Sequence, residues 1–397
     1  MKVDELVILV GGRGTRLGKI TNKTPKPLIR IGDQAFLDIL LKKLIRYNFK
    51  KIYLLCSYQK NKFFAKYHNI KMHNSKILCI DEGIRKGTGG ALFKLKKIVK
   101  KNFILINGDT FFDIDLNILK NFNLKKKSIF IALANTKKSK NNFLMNNLGL
   151  AKNIVYLSKK KTFMMNGGIY LINISILNRI KNKFLSFEDD ILHYEIINNK
   201  VVGKYFNNNF IDIGSKEKLS YIKKNTNILK SKCIFLDRDG VINKDIGYLI
   251  NFKKFIFLSG FFKAVKYLNL NNYLVIIITN QAAVGKKILT ENKLEIIHDK
   301  MKYKMFKKNK SFINDIFFSP YYSKSKVLKY RKNKFDRKPF SGMIIKAIKK
   351  WNIDINSSAF IGDKETDKIA AERVKLKFFY KGNLSLYKIV KKFVDYS

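Results

Sequence analysis

Cys233-Ile234-Phe235-Leu236-Asp237-Arg238-Asp239-Gly240 is a short apolar run that ends in two carboxylates two positions apart. The run reads as a buried β-strand, and the carboxylates stand where that strand leaves its sheet. Ionised carboxylates are costly in such a place unless a cation or a reaction uses them. Asp237 can attack a phosphorus atom, and Asp239 can move the proton of the leaving group. A second signature of different spacing, Gly11-Gly12-Arg13-Gly14-Thr15-Arg16-Leu17, follows the apolar run Leu6-Val7-Ile8-Leu9-Val10. Two phosphate-handling turns on separate strands point to two active sites on one polypeptide.

The length of 397 residues supports two cores. Short apolar strands alternate with lysine-rich helical stretches at 6–10, 52–56, 77–80, 103–106 and 129–134, and again at 233–236, 274–278, 316–318 and 358–361. This alternation predicts an α/β protein of two Rossmann-like domains with parallel sheets, whose ligands bind at the carboxyl ends of the strands. The polar stretch Lys223-Lys224-Asn225-Thr226-Asn227 separates them, giving domains at 1–228 and 229–397. The lysine-rich stretches 304–311 and 323–334 read as solvated loops. Three cysteines without paired spacing, and a chain that enters its first strand at once, are expected of a reducing, cytoplasmic setting. No apolar run is long enough to cross a bilayer, so no membrane partner is expected.

The formal charge of +52 comes from lysines spread along the whole length, in a chain also rich in Asn and Ile. That pattern matches an AT-rich coding bias better than a nucleic-acid-binding arm, so no nucleic-acid partner is expected. The excess does favour anionic sugar phosphates and nucleotides.

In the first half, glycines let the backbone approach phosphate oxygens and aim its N–H groups at them. Arg16 can neutralise a triphosphate, and Pro25-Lys26-Pro27 mounts a second cation stiffly. These residues resemble the signature of the sugar-1-phosphate nucleotidyltransferases, and the resemblance extends over residues 3–222. It implies that Gly11, Gly12, Gly14, Thr15 and Arg16 hold the nucleoside triphosphate and that Arg16 and Lys26 stabilise charge at the α-phosphorus. Gly87 and Thr88, in Gly87-Thr88-Gly89-Gly90, resemble the base-and-ribose segment. Asp109 and Asp212 resemble the family's magnesium ligands. Asn166, Gly167 and Glu188 resemble its sugar-binding residues. Where the family often has Glu-Lys before the sugar strand, this chain reads Ser158-Lys159, leaving Lys159 as a sugar-phosphate contact. Leu105 to Leu116 and Met165 to Leu171 are most similar to the heptose-1-phosphate guanylyltransferases within the family.

The second half resembles the haloacid dehalogenase superfamily over residues 232–390. The resemblance implies that Asp237 is the nucleophile, Asp239 the acid/base, Thr279 a phosphoryl-binding hydroxyl and Lys338 the charge-stabilising lysine. Magnesium would be held by Asp237, Asp363 and the backbone carbonyl of Asp239, with Asp367 in support. The runs Asp237 to Asn243, Gly247-Tyr248, Thr279-Asn280-Gln281 and Arg337-Lys338-Pro339 are similar to the heptose-1,7-bisphosphate 7-phosphatase and histidinol-phosphatase group. In that group Arg337 would recognise the substrate and Asn280 would contact it, with no large cap domain over the site. The group's zinc loop, Cys-x-His then Cys-x-Cys, is replaced by Ser319-Pro320-Tyr321-Tyr322 and Lys334-Phe335-Asp336, so no zinc is expected and tyrosine packing is expected to hold the loop.

Together the halves imply an enzyme that removes the 7-phosphate of a heptose 1,7-bisphosphate and then activates the 1-phosphate with GTP or another NTP, for surface-polysaccharide synthesis. The alternative keeps both chemistries and changes the substrates: a hexose-1-phosphate thymidylyl- or uridylyltransferase joined to a phosphatase of another small ester, such as histidinol phosphate.

Overall fold

The computed structural model describes residues 3–84, 86–135, 142–145, 154–155, 164–181, 183–206, 208–325, 327–331 and 335–396. The chain divides into two compact units, Met1–Leu229 and Lys230–Ser397.

The first unit is built on a mixed sheet in which Met164–Ile172, Phe103–Asn107, Glu5–Leu9, Lys51–Cys56 and Ser75–Asp81 lie side by side in that order. Glu5–Leu9 pairs in parallel with Phe103–Asn107 and Lys51–Cys56, as the strand–helix alternation predicts. Met164–Ile172 instead runs antiparallel to Phe103–Asn107 and to Ile129–Asn135, so this sheet is not parallel throughout. Val7, Tyr53, Leu105, Ile131 and Tyr170 are buried beneath Leu92, Leu177 and Leu192 on one face. Because Glu5–Leu9 and Phe103–Asn107 are parallel neighbours, the glycine turn after Leu9 and the Asn107-Gly108-Asp109 turn emerge at the same sheet edge.

The second unit holds five parallel strands, ordered Asp315–Ser319, Leu274–Asn280, Cys233–Leu236, Ala359–Gly362, Lys377–Tyr380. Cys233–Leu236 is buried at every position, which requires cover on both faces. Within this unit the chain order across the sheet is third, second, first, fourth, fifth. The direction of winding therefore reverses between Cys233–Leu236 and Ala359–Gly362, and ligands bind at such a reversal. Asp237 and Asp363 are the residues that follow these two strands. The stretch 304–311, read as a loop from its lysines, belongs for the most part to the helix Glu291–Asn309. Leu294, Ile297, His298, Met301 and Met305 supply its buried stripe, while the lysines occupy the solvent side. Among the described residues no helix is long and apolar enough to cross a membrane.

Candidate active sites

In the second unit the strand Cys233–Leu236 delivers Asp237 into a nearly dry site, where it is 5% exposed. Its Oδ1 lies 2.9 Å from Lys338 Nζ, and the same ammonium lies 2.6 Å from Asp367 Oδ1 and donates to the Ile278 carbonyl at 3.0 Å. Burial pushes the Asp237 carboxyl up to about 6 against the pull of Lys338. Burial also opposes the charge on Lys338, but Asp237 and Asp367 outweigh it and hold its pKa above the ordinary value. One oxygen each from Asp237, Asp363 and Asp367 lies within 4.8 Å of the others. Asp367 is already engaged, accepting the backbone N–H groups of Asp363 and Lys364 at 3.2 and 3.1 Å. Asp363 Oδ1 differs: it is sheltered and has no hydrogen-bond partner among the described residues, and burial raises its pKa. Three carboxylates around one lysine, one of them with an idle buried oxygen, are a donor set that fits a divalent cation. Gly240, at φ +83°, closes the turn over this group, and a Cβ there would collide with Asp363 Oδ2.

Asp239 lies apart from this cluster in its hydrogen bonding. Its carboxylate accepts two bonds from Nη2 of the fully buried Arg238, at 2.9 and 2.7 Å, one from Arg238 Nε at 3.2 Å, and others from Asn243 Nδ2 at 2.8 Å and Gln281 Nε2 at 2.9 Å. To protonate a leaving oxygen it has to turn away from Arg238. Gln281 also donates to Thr279 Oγ1 at 2.9 Å, so it links the acid/base candidate to the phosphoryl-binding candidate. Asn280, expected at the substrate, has its amide occupied in another way. Its Nδ2 donates to the Lys338 carbonyl at 3.0 Å and its Oδ1 accepts the Lys338 N–H at 3.1 Å, which fixes the backbone of the lysine. Arg238, Asn243 and Gln281 were not singled out as site residues. Arg238 carried a signal, since a cation between two aspartates at a buried strand end needs a buried partner.

Arg238 Nη1 stands 3.2 Å from His298 Nε2. The guanidinium can only donate, so the ring is neutral with Nε2 as acceptor. Burial, with Arg238 and Lys302 nearby, lowers the His298 pKa to about 3, against about 6.5 for a free histidine. The unfolded chain therefore binds a proton between those values that the folded chain does not. Its contribution to stability is present above pH 6.5 and is lost as pH falls, at up to about 1.4 kcal/mol per pH unit. His298→Gln, which keeps an acceptor, is expected to flatten the fall in melting temperature between pH 7 and 5. Parallel wild-type and variant melting curves check this.

The first unit brings most of its candidates to one cleft of about 350 Å3, lined by Gly12, Gly14, Thr15, Arg16, Lys26, Thr88, Asp109 and Glu188. Gly11, Gly12, Gly87 and Thr88 line an adjoining cleft of about 370 Å3. Gly14 takes φ +65° with Thr21 and Lys26 pressed against it, so the turn needs glycine there. Lys26, 6% exposed, is ion-paired with Asp109. Burial raises the Glu188 pKa, countered by the Thr88 hydroxyl that donates to it at 3.2 Å. Asp212 reaches the same region by ladder pairing with Thr110, and the N–H of the next residue, Ile213, donates to the Asp109 carbonyl at 3.0 Å; the Asp212 carboxylate is paired with Lys218. A cation between Asp109 and Asp212 would have to share both carboxylates with lysines. Asn166 and Gly167 line neither cleft. Asn166 donates to the Tyr170 hydroxyl at 2.6 Å, and a side chain at Gly167 would meet Phe112 and the Ala132 carbonyl. Asn107 lines the cleft that holds Arg16 and Lys26, and nothing in the sequence analysis pointed to it. Lys159 lies outside the described residues.

Where tyrosine packing was expected to hold a loop, the described residues are tied by hydrogen bonds and rings, and Lys334 lies outside the described residues. Ser325 Oγ donates to the Gly285 carbonyl, Arg331 Nε to the Ser325 carbonyl, and the Tyr330 hydroxyl to Glu291. Tyr321 packs edge-on against Tyr330, 6.4 Å between centroids, and its carbonyl accepts from Arg337 Nη1 at 2.9 Å. Tyr321 thus packs as expected. Tyr322 is tied through its backbone to the Tyr330 carbonyl at 2.9 Å.

Comparison with known proteins matches each unit separately. The family model described as nucleotidyl transferase matches residues 5–231, and that described as polynucleotide kinase 3 phosphatase matches residues 237–382. The chain is 35% identical over 223 residues to the D-glycero-alpha-D-manno-heptose 1-phosphate guanylyltransferase of Campylobacter jejuni, covering 54% of this chain and 96% of that protein. It is 36% identical over 139 residues to the D-glycero-alpha-D-manno-heptose-1,7-bisphosphate 7-phosphatase of Burkholderia mallei, covering 35% of this chain and 73% of that protein. Among solved structures, HddC from Yersinia pseudotuberculosis is similar at 26% identity and a TM-score of 0.48, over 57% of this chain and all of that one. The chain belongs to the nucleotidyl transferase family through its first unit and to the family of the heptose-bisphosphate 7-phosphatases through its second, and is a fusion of a nucleotidyltransferase with a phosphatase.

Proposed function

We propose that the second unit removes the 7-phosphate from D-glycero-alpha-D-manno-heptose 1,7-bisphosphate and that the first unit then transfers GMP from GTP to the remaining 1-phosphate. One observation carries this reading: the product implied by one relative's name is the substrate implied by the other's, and both sites stand on one chain.

In the phosphatase, an Asp237 oxygen attacks the 7-phosphorus, the sugar oxygen leaves, and an aspartyl phosphate forms. Asp239, once turned from Arg238, gives the leaving oxygen its proton and then takes one from the water that attacks the aspartyl phosphate. Inorganic phosphate leaves and the Asp237 carboxylate returns. Lys338 and Thr279 bind the phosphoryl oxygens, and Asn280 and Gln281 keep both in place. Asp237, Asp363 and the Asp239 carbonyl would hold magnesium, which offsets the repulsion between carboxylate and phosphate.

In the nucleotidyltransferase, an oxygen of the heptose 1-phosphate attacks the α-phosphorus of GTP and pyrophosphate leaves. Gly11, Gly12, Gly14 and Thr15 cradle the triphosphate while Arg16 and Lys26 neutralise it, so the work is positioning plus fixed charge. Gly87 and Thr88 contact the nucleoside, and Glu188 accepts from a sugar hydroxyl. Asp109 and Asp212 are the residues that would hold magnesium here.

The test is sequential. With magnesium, the heptose 1,7-bisphosphate is expected to release one equivalent of phosphate, and subsequent GTP to release one of pyrophosphate. Pyrophosphate only with another NTP would correct the base. Turnover of hexose 1-phosphates alone would favour the hexose reading.

A further inference from the structure

Phe184 lines the cleft of about 370 Å3 in the first unit, together with Gly11, Gly12, Gly87 and Thr88. It is 72% exposed. A lone apolar residue on an open surface needs no explanation, but this ring forms part of a cleft wall, where it offers a bound molecule an apolar face. It is also mounted firmly. The N–H of the next residue, Leu185, donates to the Lys86 carbonyl at 2.8 Å, and the Leu185 carbonyl accepts from the N–H groups of Gly89 and Gly90 at 2.8 and 3.2 Å. The Phe187 N–H donates to Thr88 Oγ1 at 2.8 Å. These bonds tie the chain around Phe184 to the segment that carries Gly87 and Thr88. Gly87 takes φ +75°, and a Cβ there would come 2.4 Å from the Leu185 carbonyl oxygen and 3.3 Å from Phe184 Cζ. Glycine at that position is what lets the ring close on the turn.

The rest of this cleft suits a flat ligand. Gly11 and Gly12 bring backbone without side chains, and Leu9 and Ala91 add apolar surface. The cleft of about 350 Å3 holds Arg16 and Lys26, and Leu9, Gly12 and Thr88 line both clefts. A molecule whose anionic chain lies on Arg16 and Lys26 therefore extends its other end toward Phe184. A nucleobase is flat, and every base has a π-face that stacks on an aromatic ring whatever its hydrogen-bonding edge.

We propose that Phe184 is a stacking platform for the base of the nucleoside triphosphate, supplying affinity without choosing the base. The inference rests on the nucleotidyltransferase reading above and adds a contact that the reading does not contain.

The experiment uses the full chain with magnesium and the sugar 1-phosphate it accepts. Phe184→Ala is expected to raise the KM for GTP about tenfold, with kcat and the KM for the sugar phosphate little changed. Inhibition by inorganic tripolyphosphate, which has no base, is expected to stay at the wild-type level. Phe184→Tyr is expected to restore the KM. The ring is exposed, so the melting temperature is expected to hold in both variants. Phe184→Trp gives a direct signal, because the chain's single tryptophan, Trp351, is buried in the second unit. Its added fluorescence is expected to be quenched by GTP and not by tripolyphosphate. An unchanged nucleotide KM in Phe184→Ala, an equal weakening of tripolyphosphate, or quenching by neither compound overturns the platform. A shift in oligomeric state with the KM unchanged would make Phe184 a protein contact and overturn it too. If UTP or dTTP proves to be the nucleotide used, and Phe184→Ala raises its KM in the same way, the GTP assignment falls and the platform stands.

Discussion

Asp237→Asn is expected to abolish phosphate release, by about 10^4-fold or more, while GTP-dependent pyrophosphate release from heptose 1-phosphate continues. The change is nearly isosteric, and a carboxamide cannot form the aspartyl phosphate. The expected size follows from how little else can substitute. Asp363 and Asp367 are the neighbouring carboxylates, but Asp367 is held by two backbone N–H groups and by Lys338, and Asp363 lies across the turn beside Gly240. Stability is expected to change little. The substitution removes a carboxylate whose burial already raises its pKa to about 6, and Lys338 keeps Asp367 as a partner. Separate phosphate and pyrophosphate assays on the variant, with a melting curve, check all three points. Loss of both activities with an unchanged melting temperature would mean that the two units do not work independently.

What the sequence showed best were residues tied to strand ends. Asp237, Thr279 and Asp363 each end or follow an apolar run, and the parallel sheet brings them to one edge whatever the loops do. Lys338 was legible as part of Arg337-Lys338-Pro339, although its two-carboxylate contact depends on folding over a long sequence separation. Hydrogen-bond direction was not legible. Asn280 is next to Thr279, yet its amide turns to the Lys338 backbone, and Asp239 turns to Arg238, because buried donors must be satisfied by whatever is nearest. Strand direction in the first unit failed for a related reason. An apolar run such as 129–134 carries no record of its neighbours' direction, and the expectation of parallel sheets did not foresee that Ile129–Asn135 pairs antiparallel with Met164–Ile172. In the helix Glu291–Asn309 the lysine load masked a five-residue buried stripe.

Lys26→Met is expected to cut nucleotidyl transfer about 10^3-fold and leave phosphate release in place, because fixed charge at the phosphorus supplies most of such catalysis. Two readings of Lys26 make different predictions. If it acts on the triphosphate, its loss removes charge stabilisation. If it only neutralises Asp109, with which it is paired in the cleft, its loss harms the enzyme by leaving that carboxylate alone at a cost of about 1–3 kcal/mol. Raising the magnesium concentration on Lys26→Met separates them. A neutralising role predicts that the added cation, by balancing Asp109, restores both melting temperature and transfer. Direct action on phosphate predicts recovery of the melting temperature alone, with transfer still at least about 10^3-fold below wild type at saturating magnesium. The geometry favours the second outcome. Pro25 and Pro27 fix the backbone on both sides of Lys26, and its neighbours in the cleft include Gly12, Gly14 and Arg16. A lysine needed only to balance one aspartate has no reason to be so rigidly mounted beside a glycine turn and a second cation. The same logic predicts that Lys26→Arg is also impaired, since a planar fork cannot replace a compact ammonium packed against Gly14.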